Sequence, residues 1–302
     1  MGIGQYIKEI GRGKDGARPL NRAQAADLFS QVLEGTVSDL EIGGFCLAMR
    51  IKGETTEEMT GFLDATHARL DLVPAGERPL VILPSYNGAR KLPVLTPLLA
   101  LLVARRGLPV LIHGTATEST RVAVPDVLQA LGIAPLESVR AIANGEVAYL
   151  PTEALCPGLK RLLDVRRVVG LRNSAHSLVK LMKPCAGPAV VVSSYTHPEY
   201  AVSMAAVFEA TGATALLLRG TEGEVVADAR RLPQMEGFVA GRRILLEPGQ
   251  KGTLVRLPEL PHAIDPASTA AWIHEVLENR RPVPPALALQ VEHILRLAAS
   301  HD

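Results

Sequence analysis

The stretch EGTVSDLEIGGFCLAMRIKGETTEE, residues 34–58, contains the start signals of two successive helices. Ser38 with Glu41, and Thr55 with Glu58, have the spacing of a capping box, in which a hydroxyl and a carboxylate bind unpaired backbone N–H groups of the first helical turn. Between these caps, apolar side chains recur at three- and four-residue intervals, which predicts a face that packs against other helices. The stretch therefore predicts a small helical bundle near the N-terminus.

Composition excludes several classes of protein. The 302 residues carry a formal net charge of +1, so only local clustering of charge can indicate a charged partner. The apolar runs are far shorter than the ~20 residues that a membrane span requires, so we expect no membrane association and a cytoplasmic location. The three cysteines lie far apart and outside any CxxC pattern, which argues against disulfides and against a structural zinc site.

The sequence pattern changes after the first 70 or so residues. PLVILP, LPVLIHG, AVVVSS and TALLLRG are short apolar runs without alternation, typical of strands buried on both faces of a parallel sheet. Helical stretches separate these runs, which predicts an α/β unit with right-handed crossovers. Residues 159–183 are basic and predicted to be helical, and they interrupt the βα alternation.

Residues 34–58 closely resemble the N-terminal helical domain of the anthranilate phosphoribosyltransferase family, glycosyltransferase family 3, which pyrimidine nucleoside phosphorylases share more distantly. The resemblance implies an α/β protein with a small N-terminal helical domain and a larger α/β domain with a mainly parallel central sheet. It assigns residues 1–72 and the returning helices at about 157–185 to the helical domain, and 78–156 and 186–302 to the α/β domain. It also implies a ligand cleft between the domains and a homodimer formed through the helical domain.

The loop after the first predicted strand departs from the family pattern. The family grips the pyrophosphate of its sugar donor with Gly-Thr-Gly-Gly-Asp, because backbone N–H groups must approach phosphate oxygens closely. Here the matching segment reads PSYNGARKLPVLTP, residues 84–97, in which only Gly88 remains. Arg90 and Lys91 add two cations, which predicts attraction of phosphate by side-chain charge. A solvated basic turn is the alternative.

Two further family signatures are altered. The family's Lys-His-Gly-Asn-Arg reads Ile-His-Gly-Thr-Ala at residues 112–116. His113 is a catalytic candidate if the chain is an enzyme, or a strand-end histidine bonded to nearby backbone. Glu222 and Glu224 replace an adjacent Asp-Glu pair that holds magnesium in the family. Alternate side chains share a face in an extended segment, so these glutamates are candidates for weak magnesium binding, with loop charges as the alternative.

The altered segments closely resemble the YbiB-type branch of the family, which is associated with nucleic-acid binding and not with tryptophan synthesis. Residues 86–91 and 219–224 carry this resemblance. Arg166 falls on the family position that meets the anthranilate carboxylate. Lys180 and Lys183 are expected to share a helical face. The residues expected to bind nucleic acid or phosphate in a basic cleft are Tyr86, Asn87, Gly88, Arg90, Lys91, Arg121, Arg166, Arg172, Lys180 and Lys183.

The predicted function is nucleic-acid binding on a transferase-like scaffold whose donor-phosphate site has degenerated. Aromatic residues make up 4% of the chain, so we expect contacts mainly to phosphate with little sequence specificity, and one stacking aromatic, Tyr86. DNA and RNA both remain open. The alternatives are a glycosyl or phosphoribosyl transferase or phosphorylase with a substrate other than anthranilate, and a protein-interaction scaffold. No cofactor is expected to be required, and magnesium enters only under the transferase alternative.

Overall fold

The chain is divided into two units, each built from two separate stretches of sequence. The helical unit comprises Met1–Asp71 and Thr152–Pro184, and the sheet unit comprises Leu72–Pro151 and Cys185–Asp302. The computed structural model describes residues 2–13, 15–252 and 257–301. No helix in these ranges is both long enough and apolar enough to cross a membrane.

After the N-terminal bundle, α-helices separate successive strands as far as residue 219, as the sequence predicts, and two further strands then precede the last two helices. The helices are α1 (Gly4–Ile10), α2 (Arg22–Glu34), α3 (Asp39–Lys52), α4 (Thr56–His67), α5 (Thr96–Arg105), α6 (Val124–Ala130), α7 (Thr152–Leu155), α8 (Pro157–Val169), α9 (Ala175–Leu178), α10 (Pro198–Thr211), α11 (Pro266–Leu277) and α12 (Pro285–Ala298). The strands are β1 (Leu80–Ser85), β2 (Val110–Gly114), β3 (Val147–Pro151), β4 (Ala189–Tyr195), β5 (Ala215–Arg219), β6 (Gln234–Val239) and β7 (Arg242–Pro248).

Both predicted capping boxes are confirmed in the helical unit. The Glu41 backbone N–H donates to Ser38 Oγ over 3.3 Å, and the Glu41 carboxylate accepts from the Ser38 N–H over 2.9 Å. Thr55 and Glu58 make the same reciprocal pair over 3.2 and 2.9 Å. These bonds start α3 and α4 where the sequence predicts.

An aromatic cluster forms the core of the helical unit. Phe29 of α2 stacks on Phe62 of α4 with ring centroids 4.6 Å apart. Phe45 of α3 meets the Phe62 ring edge-on at 5.9 Å. All three rings are fully buried, and such pairs stabilise a core beyond the area they bury. The apolar face predicted for α3 therefore packs against the neighbouring helices through Phe45.

The sheet has seven strands in the order β3-β2-β1-β4-β5-β6-β7. The four apolar runs named above form β1, β2, β4 and β5, which are parallel to one another. The sequence reading missed three strands: β3, which is parallel to β2, and the antiparallel pair β6 and β7. The expected mainly parallel sheet is confirmed, with an antiparallel extension at one edge.

The position of β1 in this order defines a switch point. β1 pairs with β2 on one side and with β4 on the other, so successive connections leave the centre of the sheet in opposite directions. In open α/β sheets, ligands bind at the carboxyl ends of the strands beside such a point. The loops after β1, β2 and β5 therefore mark the edge of the sheet unit where a site is expected.

Candidate functional site

The loop of residues 86–92, here called the β1 loop, leaves the carboxyl end of β1 at the switch point. Gly88 has a φ of +70°, in the left-handed region that favours glycine. Ala89 and Val122 pair through two backbone hydrogen bonds, with N–O distances of 2.8 and 3.0 Å. This bridge ties the β1 loop to the segment that follows β2.

Glu224 reaches the β1 loop from the turn that follows β5. Its Oε1 accepts hydrogen bonds from the backbone N–H groups of Asn87 and Gly88, over 2.9 and 2.8 Å. Its Oε2 accepts hydrogen bonds from the hydroxyls of Ser85 and Thr96, over 2.7 and 3.1 Å. Glu224 is 1% exposed, so its charge is buried and is balanced by four donors.

Glu222 binds the second half of the same loop. Its carboxylate accepts hydrogen bonds from the N–H groups of Arg90, Lys91 and Leu92, with N–O distances from 2.7 to 3.3 Å. The backbone φ of Glu222 is 52°, a left-handed conformation that costs a non-glycine residue about 1–2 kcal/mol. Hydrogen bonds to a carboxylate are stronger than bonds between neutral groups, and three of them offset this strain.

Two glycines in the turn after β5 lie where a side chain has no room, one against the β1 loop and one inside the turn itself. A Cβ atom on Gly223 would lie 1.7 Å from Asn87 Nδ2, and a Cβ atom on Gly220 would lie 1.8 Å from the backbone oxygen of Glu224. The Ser194 hydroxyl donates to the Gly223 carbonyl over 2.8 Å. The turn therefore packs against the β1 loop without room for a side chain at Gly223, and it folds tightly on itself without room for one at Gly220.

The two glutamates do not fit the magnesium site considered for them. That expectation assumed an extended segment, whereas Thr221–Gly223 form a 3-10 turn. All four carboxylate oxygens of Glu222 and Glu224 accept hydrogen bonds, so a metal ion would have to displace those donors. In the part of the chain that the structure describes, no group of three or more His, Cys, Asp or Glu side chains is arranged to hold a metal ion.

His113 and Tyr86 form a buried pair. Tyr86 Oη and His113 Nδ1 lie 2.9 Å apart, and the two residues are 4% and 0% exposed. Burial lowers the pKa of His113 to about 3, so the imidazole is neutral near pH 7. His113 is fully buried, so this structure does not present its ring to a substrate as the catalytic role considered for it requires. Tyr86 likewise presents no ring for base stacking, contrary to the expectation, because its side chain is enclosed.

Arg90 and Lys91 are the exposed cations of the β1 loop. Within the described ranges, neither side chain makes a hydrogen bond or an ion pair, while both backbone N–H groups bind Glu222. Arg121 is half-buried in the loop before α6, where its Nη1 donates to the Asn87 carbonyl over 3.3 Å. The structure thus brings the predicted sheet-unit residues together at one edge, with Asn87 and Gly88 buried and the Arg90 and Lys91 side chains exposed.

An open groove of about 550 Å³ lies beside the β1 loop. Its lining includes four exposed cations, which are Lys91, Arg219, Arg230 and Arg231, and two acids, which are Glu222 and Asp228. Asp228 accepts two hydrogen bonds from the Arg230 guanidinium, over 3.0 and 2.8 Å. The sequence reading missed Arg219, Arg230 and Arg231 as site residues. The one available signal was the position of Arg219 at the carboxyl end of a buried strand run.

The remaining predicted cations belong to the helical unit. Arg166 lies in the last turn of α8, and Arg172 follows that helix. Lys180 and Lys183 do not share a helical face as expected, because α9 ends at Leu178 and both lysines lie in the non-helical segment after it. Lys180 is 8% exposed, so little of its side chain is available to a large ligand.

The chain is similar to known proteins along most of its length. Residues 4–69 match the glycosyl transferase family, helical bundle domain. Over 299 residues, the chain is 42% identical to the uncharacterized protein YbiB of Escherichia coli (strain K12), with 96% of this chain and 92% of that protein covered. Over 253 residues it is 30% identical to an anthranilate phosphoribosyltransferase of Symbiobacterium thermophilum, with 80% and 72% covered.

Solved structures share the fold. The anthranilate phosphoribosyltransferase (TrpD) from Thermus thermophilus superimposes with a TM-score of 0.72 at 23% identity, covering 97% of this chain and 89% of that one. The enzyme from Saccharomyces cerevisiae, solved in complex with PRPP and Mg, gives 0.70 at 15% identity, covering 99% and 89%. Because these sequence relatives are at least 30% identical to the chain over more than two thirds of its length, and the helical bundle domain matches as well, the chain belongs to the anthranilate phosphoribosyltransferase-like members of glycosyltransferase family 3.

Proposed function

We propose that the chain binds nucleic acid, DNA or RNA, mainly through the phosphate backbone and with little sequence specificity. The observation that carries this proposal is the groove beside the β1 loop, where exposed cations outnumber acids. The guanidinium groups of Arg219 and Arg231 make no hydrogen bond or ion pair within the described residues, so both can bind an external anion. Clustered cations around an open groove attract a polyanion even when the total charge of a protein is near zero.

The burial of the Tyr86 ring supports binding through contacts to phosphate and not through base stacking. Base-stacking platforms require exposed aromatic faces, whereas Tyr86 is 4% exposed and its hydroxyl is paired with His113. Phosphate contacts carry no sequence information, and each contact releases counterions from the nucleic acid. Binding should therefore be similar for unrelated sequences and should weaken steeply as salt rises.

A transferase or phosphorylase acting on a substrate other than anthranilate is the second candidate, and family membership favours it. The hydrogen bonding of the β1 loop argues against this second candidate. The backbone N–H groups that could bind a donor phosphate already donate to Glu222 and Glu224. We expect no anthranilate phosphoribosyltransferase turnover above background when the sugar donor and magnesium are supplied. Turnover near the rates of active relatives would contradict this expectation.

Removal of two exposed cations should weaken nucleic-acid binding and reduce its salt dependence. In Arg90→Ala combined with Lys91→Ala, each lost phosphate contact lowers the slope of log K against log salt by about 0.9. The double variant should therefore show a slope lower by roughly two units. Fluorescence anisotropy of a labelled oligonucleotide, titrated at several salt concentrations, measures this difference.

Arg296→Ala is the matched control for those substitutions. Arg296 is exposed on α12 and its side chain makes no hydrogen bond or ion pair within the described ranges, so its loss removes one charge without altering the β1 loop. Its salt slope should equal that of the unmodified protein. An equal loss of binding free energy per charge removed, in the control and in the double variant, would show that total charge, and not the β1 loop, governs binding.

A second copy of the chain is the proposed partner of an apolar face on α3. Leu40, Leu47 and Ile51 fall on one side of this helix and are 86%, 43% and 73% exposed. A two-fold related copy would bring this face against itself, as in an isologous dimer. Light scattering at micromolar concentration should give a dimer mass, and Leu40→Glu with Ile51→Glu should give a monomer. Val202→Glu, at a 69% exposed position on α10, should leave the mass unchanged.

A further inference from the structure

The β1 loop presents five backbone N–H groups to carboxylates of its own chain. Asn87 and Gly88 donate to Glu224, and residues 90–92 donate to Glu222. Backbone N–H groups that converge in a turn form a nest, a concave arrangement that binds anionic oxygens. The β1 loop is therefore an oxyanion site in which the bound oxygens belong to the protein itself.

The two glutamates differ in how firmly they are held. Glu224 is buried and also binds two hydroxyl groups, so it is part of the core of the sheet unit. Glu222 is partly exposed and has a strained backbone, and its carboxylate accepts hydrogen bonds only from backbone N–H groups of the loop. Its backbone carbonyl, which a substitution of the side chain leaves in place, accepts from Asn87 Nδ2 over 3.2 Å. Removal of the Glu222 side chain would therefore free the donors of residues 90–92 while the Glu224 contacts stay in place.

The freed donors would face solvent and positive charge. Lys91, Leu92 and Glu222 all line the open groove, so a small ligand can reach this part of the loop. The same groove carries the exposed guanidinium groups of Arg219 and Arg231, which favour an anion. In the intact protein, the Glu222 carboxylate occupies the N–H groups and repels a second anion.

We propose that Glu222 is a built-in plug that excludes small oxyanions, such as inorganic phosphate, from the backbone N–H groups of residues 90–92. Glu222 thereby makes the loop selective against small oxyanions. The backbone N–H groups do not bind a small phosphate, while the Arg90 and Lys91 side chains stay exposed. This inference uses only contacts inside the sheet unit. It does not rest on nucleic-acid binding, and its test contains no nucleic acid.

The test is isothermal titration calorimetry of inorganic phosphate into the full-length Glu222→Gly variant. Glycine suits this position because the backbone φ is positive, so the substitution removes the carboxylate and the strain together. The variant should bind phosphate at least about tenfold more tightly than the unmodified protein. Glu222→Asn, a residue type that tolerates positive φ, repeats the test if the glycine variant folds poorly.

Two control variants separate the plug from general effects. Ala240→Gly relieves another positive φ, of 48°, without changing any charge. Glu137→Gln removes one exposed negative charge from the sheet unit and leaves the β1 loop intact. Neither control should gain phosphate binding. An equal gain in Glu137→Gln would overturn the proposal, because total charge alone would then explain the result.

Amide NMR signals give a second readout at the loop itself. In the Glu222→Gly variant, phosphate should shift the N–H signals of Arg90, Lys91 and Leu92, and these shifts should be absent from the unmodified protein. A folded variant that binds no phosphate would overturn the proposal. Phosphate binding of equal strength in the unmodified protein would overturn it as well, since Glu222 would then exclude nothing.

Discussion

Glu224→Ala is expected to lower the free energy of unfolding by about 3 kcal/mol or more. The substitution leaves four buried donors without their acceptor, namely the N–H groups of Asn87 and Gly88 and the hydroxyls of Ser85 and Thr96. A buried donor without a partner costs about 1–3 kcal/mol, and these four lie close together. Chemical denaturation followed by circular dichroism measures the change.

Glu224→Gln is the matched control for that prediction. A glutamine amide oxygen can still accept from the two backbone N–H groups, and both hydroxyls can rotate to accept from its NH₂ group. The loss of stability should therefore be well below that of the alanine variant. Equal stability of Glu224→Ala and the unmodified protein would show that the contact between the β5 turn and the β1 loop does not hold this edge together.

Glu58→Ala is expected to destabilise the helical unit by about 3–5 kcal/mol. Glu58 is fully buried, and its carboxylate binds Lys52 Nζ over 2.6 Å and the Leu20 and Thr55 N–H groups over 2.9 Å each. Lys52 is itself largely buried, so the alanine variant leaves an ammonium group without its counter-charge in a place with little water. Thermal unfolding followed by circular dichroism should show the loss.

The first capping box supplies the comparison. Ser38→Ala removes the N-cap hydroxyl of the other predicted capping box, at an exposed position, and should cost only about 1 kcal/mol. If Ser38→Ala and Glu58→Ala destabilise the protein equally, Glu58 acts only as a helix cap, and the buried pair with Lys52 contributes nothing further.

The sequence predicts the caps well because a capping box is local. Ser38 and Thr55 each need only a carboxylate three residues later, and the structure has both pairs. The burial of Glu58 could not be predicted, because it depends on contacts with residues outside the capping box. The Leu20 N–H and the Lys52 ammonium group both donate hydrogen bonds to its carboxylate. Similarly, apolar runs without alternation predict strands that are buried on both faces. The sequence does not predict β7, because most of its side chains are exposed.

The candidate site was predicted in part. The carboxyl ends of the parallel strands β1 and β5 lie at the same edge of the sheet. The sequence therefore predicts that Arg90 and Lys91 lie near Glu222. It could not reveal that the glutamates bind the backbone of the β1 loop. That contact depends on the left-handed conformation of Glu222 and on the space left by Gly223, which no local pattern encodes.

The most direct test of nucleic-acid binding is fluorescence anisotropy with labelled single- and double-stranded oligonucleotides across a salt series. The phosphorylated sugar donor of the transferase family, with magnesium, is added as competitor. We expect tight binding at low salt, a steep decrease as salt rises, and no displacement by the donor, because Glu222 and Glu224 fill the loop that would hold its phosphates. Absence of binding at low salt, or displacement of the oligonucleotide by the donor, would contradict the proposal.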